Sequence, residues 1–268
     1  MKLMEWMLKR KGLAFAIVAL LSTSMPAHAE EERASYRFCE DPWPPYTDGE
    51  VGRHPEKGMA VELFREFSAR MEADFELMLL PWKRCLHWVK TGQFDGIMLL
   101  TRNEERAQYL LFSDPVHHDV NLVWTRQGRN FQRDFNSFED LKGLKVGTVA
   151  GFNYGEPFNK AVEEYELDID EGPSILSSLK RLDLNRIDVF LVNRDAGEQA
   201  LKSEPLLRSR LKYQAGPFEK VPFHIGLSAE SPVTREYSQL NDTIADMRED
   251  GTLERIFQPH SSPDPLEN

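Results

Sequence analysis

The chain has 268 residues, with 33 Lys and Arg against 44 Asp and Glu, and a formal net charge of −11 at pH 7. A chain this acidic lacks the basic footprint that nucleic acid or an anionic membrane would need, so neither is expected as a partner. It carries no phosphate loop, dinucleotide fingerprint, Gly-x-Ser-x-Gly or His-Glu-x-x-His run, and its two cysteines cannot complete a tetrahedral metal set; no cofactor and no metal are expected.

The first residues read as an address. Lys2, Lys9, Arg10 and Lys11 precede an apolar run from Gly12 to Leu21, and Ala27-His28-Ala29 is a small-x-small cleavage pattern followed by Glu30. This is a signal peptide over residues 1–29, cleaved after Ala29, because a spanning helix would need ~20 apolar residues. Its loss takes away four cations and one acid (Glu5), leaving 29 basic and 43 acidic residues and a net charge of −14. About 240 residues remain, enough for a large core in one domain or two lobes. In an exported chain the even count of two, Cys39 and Cys85, favours a disulfide; two free buried thiols are the alternative.

The remainder alternates strand and helix. A strand over Tyr36–Cys39 is broken by Asp41-Pro42-Trp43-Pro44-Pro45-Tyr46, where three prolines forbid regular structure. Gly58–Met71 has helical spacing, Phe75–Leu80 is strand-like, and Pro81 opens a helix that stops at Gly92. A buried strand over Asp95–Leu100 leads to a polar turn carrying Thr101 and Arg106, then to a helix-like run ending at Phe112-Ser113-Asp114-Pro115. Val120–Trp124 is an apolar strand, and Arg126–Asn136 a polar loop. Ser137–Leu141 reads as a capped short helix and Lys145–Val149 as a strand running into Gly151-Phe152-Asn153-Tyr154-Gly155 and a helix to about Glu164. Helices over Ser174–Leu184 and Asp195–Leu201 flank a strand from Ile187 to Val192 that ends at Asn193. The strand Pro222–Ser228 and a helix from about Val233 to Glu249, stopping at Gly251, close the pattern, with 259–268 as a disordered tail. Such alternation predicts open, mostly parallel α/β sheets that bind ligands at the carboxyl ends of their strands.

Arg106, just past a strand end and beside a hydroxyl, has the makings of a carboxylate clamp, since the guanidinium fork can make two parallel hydrogen bonds to one carboxylate. His117-His118-Asp119 is no metal site on a strand, where adjacent side chains face opposite ways. Lys83 and Arg84 read as a solvated helix face, and His224 as a core or hinge residue.

The order and spacing of several short runs resemble bacterial extracellular solute-binding protein family 3, the periplasmic receptors for polar amino acids and related solutes. These are Trp43-Pro44-Pro45-Tyr46, Gly58-Met59-Ala60-Val61-Glu62-Leu63, Gly92-Gln93-Phe94-Asp95, Glu105-Arg106, and Phe112-Ser113-Asp114-Pro115. In the second half they are Asp140-Leu141-Lys142-Gly143-Leu144-Lys145-Val146-Gly147 with Gly151, Asn185-Arg186-Ile187-Asp188, and Asp250-Gly251-Thr252-Leu253. The resemblance implies a type II periplasmic binding protein fold: lobe 1 over 32–118 plus 221–258, lobe 2 over 119–220, and two crossover strands forming a hinge.

By the same resemblance, Arg106 takes a solute carboxylate, Thr101 adds a hydroxyl, and Trp43 stacks on the solute. Glu40 is a polar pocket residue, and Gly151 presents backbone N–H groups at a helix start. Where α-amino-acid receptors of the family usually hold an aspartate against the ammonium, this chain has Asn193. Either Glu40 or Asp195 supplies that charge, or the solute is not an ordinary α-amino acid. Three functions follow: a monomeric periplasmic receptor, not an enzyme, that delivers a carboxylate-bearing solute to an inner-membrane ABC permease; a signalling receptor of the same fold; or a dehydratase of a cyclic carboxylic acid, with Glu40 as its acid.

Overall fold

A computed structural model describes residues 33–129, 131 and 134–258. The expected signal peptide and the tail 259–268 lie outside the described residues.

Among these, the strands form two mixed sheets flanked by helices. The first begins with β1 (Ser35–Glu40), α1 (Met59–Met71), β2 (Asp74–Leu79), α2 (Trp82–Lys90) and β3 (Gly96–Thr101). A single 3-10 turn over Arg106–Gln108 then leads to β4 (Leu110–Phe112) and β5 (His117–Asp119). The chain crosses into the second sheet along β6 (Asn121–Arg126). There it forms β7 (Lys145–Val149), α3 (Glu156–Glu164), β8 (Asp168–Gly172), α4 (Ile175–Asp183), β9 (Val189–Asn193), α5 (Arg194–Leu201), the short α6 (Pro205–Arg208) and β10 (Leu211–Gln214). It returns along β11 (Val221–Ser228) and ends in α7 (Tyr237–Glu249) and α8 (Thr252–Phe257).

The first sheet has the order β2-β1-β3-β11-β4, with β5 paired to β11; the second runs β10-β6-β9-β7-β8. In each, three strands are parallel (β2, β1, β3 and β8, β7, β9), and the strand that carries the chain between sheets lies antiparallel beside them. Parallel strands here are covered on both faces, which is why β3 and β9 are buried at every position and read as apolar runs. Helix α1 buries Leu63, Phe64, Phe67 and Met71 on one stripe, and its neighbours include α7 and α8. β5, which leads the chain into the first crossover, pairs with the returning β11, Asp119 opposite Val221 and His117 opposite Phe223.

Four segments depart from the pattern of the sequence. The run before Phe112 is not a helix: Leu110 and Phe112 are buried and Leu111 between them is exposed, the alternation of a strand. β8 and β10, both at sheet edges, carry mostly polar residues and gave no apolar signal. The segment from Ala150 to Gly155 is irregular, so α3 begins only at Glu156.

Cys39 in β1 and Cys85 in α2 form a disulfide with Cα atoms 5.7 Å apart. It fastens α2 to the strand whose next residue is Glu40.

Candidate functional site

The carboxyl ends of β1, β3 and β9, the crossover strands and the irregular segment after β7 converge on a cavity of about 60 Å³ between the sheets. Ligands in open α/β sheets bind at this end because strand termini and helix N-termini leave polar groups unpaired there.

Arg106 lines it and is 5% exposed. Its Nη1 donates to the Thr101 carbonyl (2.8 Å) and to Thr101 Oγ1 (3.3 Å), and its backbone N–H is held by Asn103 Oδ1 (2.8 Å). Among the described residues no carboxylate lies within 4.0 Å of the guanidinium. Burial lowers its pKa, and Tyr109 and Glu40 oppose the shift; an arginine nevertheless stays charged. A buried charge that lacks a counter-ion is costly, and a ligand carboxylate would relieve it.

Thr101 Oγ1 also accepts from Asn153 Nδ2 (2.8 Å), a bond from the second sheet's side of the cavity to the first. Trp82 makes another, its Nε1 donating to the Gly151 carbonyl at 2.9 Å, while its ring lies 5.2 Å from the Arg106 ζ carbon. Gly151 therefore contributes its carbonyl, and it stands five residues before the start of α3. Its φ of +81° suits glycine, and a Cβ there would lie 3.0 Å from Trp82 Cδ1.

Trp43 is 8% exposed and its ring packs near Tyr46 (4.3 Å), Phe223 (5.5 Å) and Phe152 (5.8 Å). Among the described residues its buried indole N–H has no partner, although buried indoles usually find one. Asn193, 5% exposed, caps α5: its Oδ1 accepts from the Ala196 N–H at 2.8 Å, leaving its NH₂ as a donor in the cavity wall.

Glu40 is 1% exposed, and its oxygens accept from the Asp41 (3.1 Å) and Leu99 (3.0 Å) backbone N–H groups. Burial, then the neighbouring Asp41, raises its pKa well above the carboxylate range. Enclosure pushes Asp41 up to about 6. Asp119, at the foot of the cavity, also rises to about 6 through desolvation, against the bonds it accepts from Tyr46 Oη (2.5 Å) and the Val120 N–H (2.7 Å). Asp195 does not line this cavity; it pairs with Arg194 at 3.0 Å.

Residues 38–262 match the family described as bacterial extracellular solute-binding proteins, family 3. The chain belongs to this family. It is 24% identical over 222 residues to the L-cystine-binding protein TcyJ of Escherichia coli K12, covering 82% of this chain and 79% of that protein. It is also 24% identical over 262 residues to the histidine-binding periplasmic protein of the same strain, covering 94% and 97%. Among solved structures, an ancestral arginine-binding protein bound to arginine superposes with a TM-score of 0.70 at 20% identity, over 84% of this chain and 97% of that one. The fold is that of type II periplasmic binding proteins, and among the described residues no helix is long and apolar enough to cross a membrane.

In this solute-binding protein, five of the six residues read from the sequence (Arg106, Thr101, Trp43, Glu40 and Asn193) line one cavity, and Gly151 touches it through Trp82. Reading the sequence missed Asp41, Trp82, Asp119, Asn153 and Phe223. Asp41 and Trp82 each adjoin a proline of a motif that had been noticed, a local signal that was available. Asp119 and Phe223 have none, because only the pairing of β5 with β11 brings them to the cavity.

Proposed function

We propose that this chain captures a small, amino-acid-like solute in the cleft between its lobes and delivers it to an inner-membrane ABC permease. The observation that carries the reading is Arg106: a buried guanidinium facing the cavity, with no carboxylate within 4.0 Å among the described residues. A solute carboxylate placed there gains charge-assisted hydrogen bonds and removes the cost of an isolated buried charge. The named relatives support the solute class, since their names specify cystine and histidine. In this reading lobe 1 comprises residues 32–118 and 221–258, lobe 2 residues 119–220, and the mature protein acts as a periplasmic monomer after cleavage at Ala29. The bonds Trp82–Gly151 and Asn153–Thr101 then belong to the closed state.

A thermal-shift screen of the twenty standard amino acids and of simple carboxylic acids tests it. At least one amino acid should raise the melting temperature by mass action, and Arg106→Ala should remove the shift. A screen without an amino-acid hit would sink the amino-acid-like reading.

A second reading rests on Glu40, a buried carboxyl that lines the same cavity as Arg106 and whose burial favours its acid form, as a general acid on a cyclic carboxylic acid would need. Incubation with such acids, followed by chromatography for a dehydrated product, tests this reading; unchanged substrate ends it.

A further inference from the structure

We propose that Asp119, on the strand that leads into the first crossover, neutralises the solute's ammonium, the role that Asn193 cannot fill. The proposal rests on the amino-acid-like reading above.

A zwitterion bound by Arg106 leaves its ammonium in need of a negative charge within the same cavity. Asn193 is neutral, and its Oδ1 is already committed to the Ala196 N–H. Asp195 is turned to Arg194 and lines a separate depression with Lys57, Glu198 and Lys202. Glu40 and Asp41 adjoin and answer each other. Glu40 holds two backbone N–H groups, one of them that of Asp41, and the two buried carboxyls act on each other.

Asp119 is different. It lines the cavity and accepts two neutral hydrogen bonds, from Tyr46 Oη and the Val120 N–H, which leave further lone pairs on both oxygens. Among the described residues no Lys, Arg or His nitrogen lies within 4.0 Å of it. Arg194, whose charge acts on it, is engaged with Asp195. The surrounding rings also suit a cation: Tyr46, which holds Asp119, lies 4.3 Å from Trp43 and is stacked on Phe223 at 6.2 Å. Because Asp119 pairs with Val221 where β5 meets β11, it reads the ammonium from the hinge ribbon, not from the far lip of the second lobe.

The test is calorimetric titration of the wild type, Asp119→Asn and Arg106→Ala with the twenty standard L-amino acids, and with the des-amino carboxylic acid of each one that binds. Asp119→Asn should weaken amino-acid binding by about tenfold or more and leave the des-amino acid unchanged, so that discrimination between them collapses. In the wild type that discrimination should also fall as pH drops through about 6, where Asp119 takes up a proton, and Asp119→Asn should flatten the profile. The groups facing Asp119 are Tyr46, Asp195 and Arg194. Tyr46 is held protonated by burial, and His117, with a pKa of about 4, stays neutral through this window.

Amino-acid binding abolished by Arg106→Ala but untouched by Asp119→Asn overturns the inference and leaves the proposed function standing. Should Asp119→Asn fail to fold, a wild-type discrimination that stays constant from about pH 8 to about pH 5 overturns it equally. Binding of carboxylic acids without any amino acid, or of nothing, overturns the amino-acid-like reading and this inference together.

Discussion

Trp82 stands over the Arg106 guanidinium with its ring centre 5.2 Å from the ζ carbon, and its Nε1 reaches 2.9 Å across the cleft to the Gly151 carbonyl. The side chain that borders the Arg106 guanidinium is thus also a bolt across the cavity. Trp82→Phe keeps a ring over Arg106 and removes the donor. One neutral hydrogen bond contributes about 1 kcal/mol, so solute affinity should fall about fivefold, chiefly through faster release. Stopped-flow dissociation measured against calorimetric affinity checks this; an unchanged off-rate would mean the bolt carries no load.

Arg106→Lys is as informative as Arg106→Ala. Lysine keeps the charge but not the planar fork that makes two parallel bonds. Both variants should lose binding by about 10- to 150-fold, the equivalent of ~1.5–3 kcal/mol for a charge-assisted bond. Titration of whichever solute the screen identifies provides the measurement. Full affinity in Arg106→Lys would show that a point charge suffices.

The Cys39–Cys85 bridge closes a segment of 46 residues. On the chain-entropy account a loop of that length is worth about 4 kcal/mol, because the crosslink restricts the unfolded chain. The Cys39→Ala/Cys85→Ala variant should therefore unfold at clearly lower denaturant, its loss in free energy read from equilibrium curves. Because the bridge ties the start of α2, and so Trp82, to the strand bearing Glu40, the variant should also release solute faster than the wild type.

His117 lies flat on Phe257, 4.5 Å between ring centres at 10°, and burial pushes its pKa down to about 4, with Asp195 pulling the other way. The unfolded chain takes this proton near 6.5 and the folded chain refuses it until about 4. The stabilisation is therefore complete above 6.5 and lost as pH falls through that window, to a total of about 3 kcal/mol. Asp41 and Asp119 have the opposite sign: with folded pKa values near 6 they favour the folded state as they protonate. The measurement is accordingly a difference. Denaturation curves across pH should show the wild type losing stability on acidification relative to His117→Gln, and parallel curves would refute the shift.

Much of the fold was legible because its central strands are covered on both faces. β3, β7, β9 and β11 stand out as apolar runs, and α1 as a 3.6-residue stripe. Edge strands lack that signal: in Asp-Ile-Asp-Glu-Gly, the backbone of β7 and not a hydrophobic pattern makes β8 a strand. Leu111 obscured β4, because an exposed leucine between two buried residues hides a period of two. In the site, Arg106 and Thr101 are five residues apart and bond directly, so local spacing was enough to find them. Asp119 acts through partners 73 and 102 positions away, Tyr46 and Val221, and no local window contains that relationship.

β11 lies between β3 and β4, yet it is the last strand among the described residues. In a protein that emerges amino-terminus first, the first sheet must wait with a gap at its centre until the whole second sheet has been made. Any product that ends before residue 221 then carries two bare strand edges, each a template for pairing with another chain. The second sheet, complete by Gln214, has no such dependence, so the two halves of the cavity wall differ in when they can close.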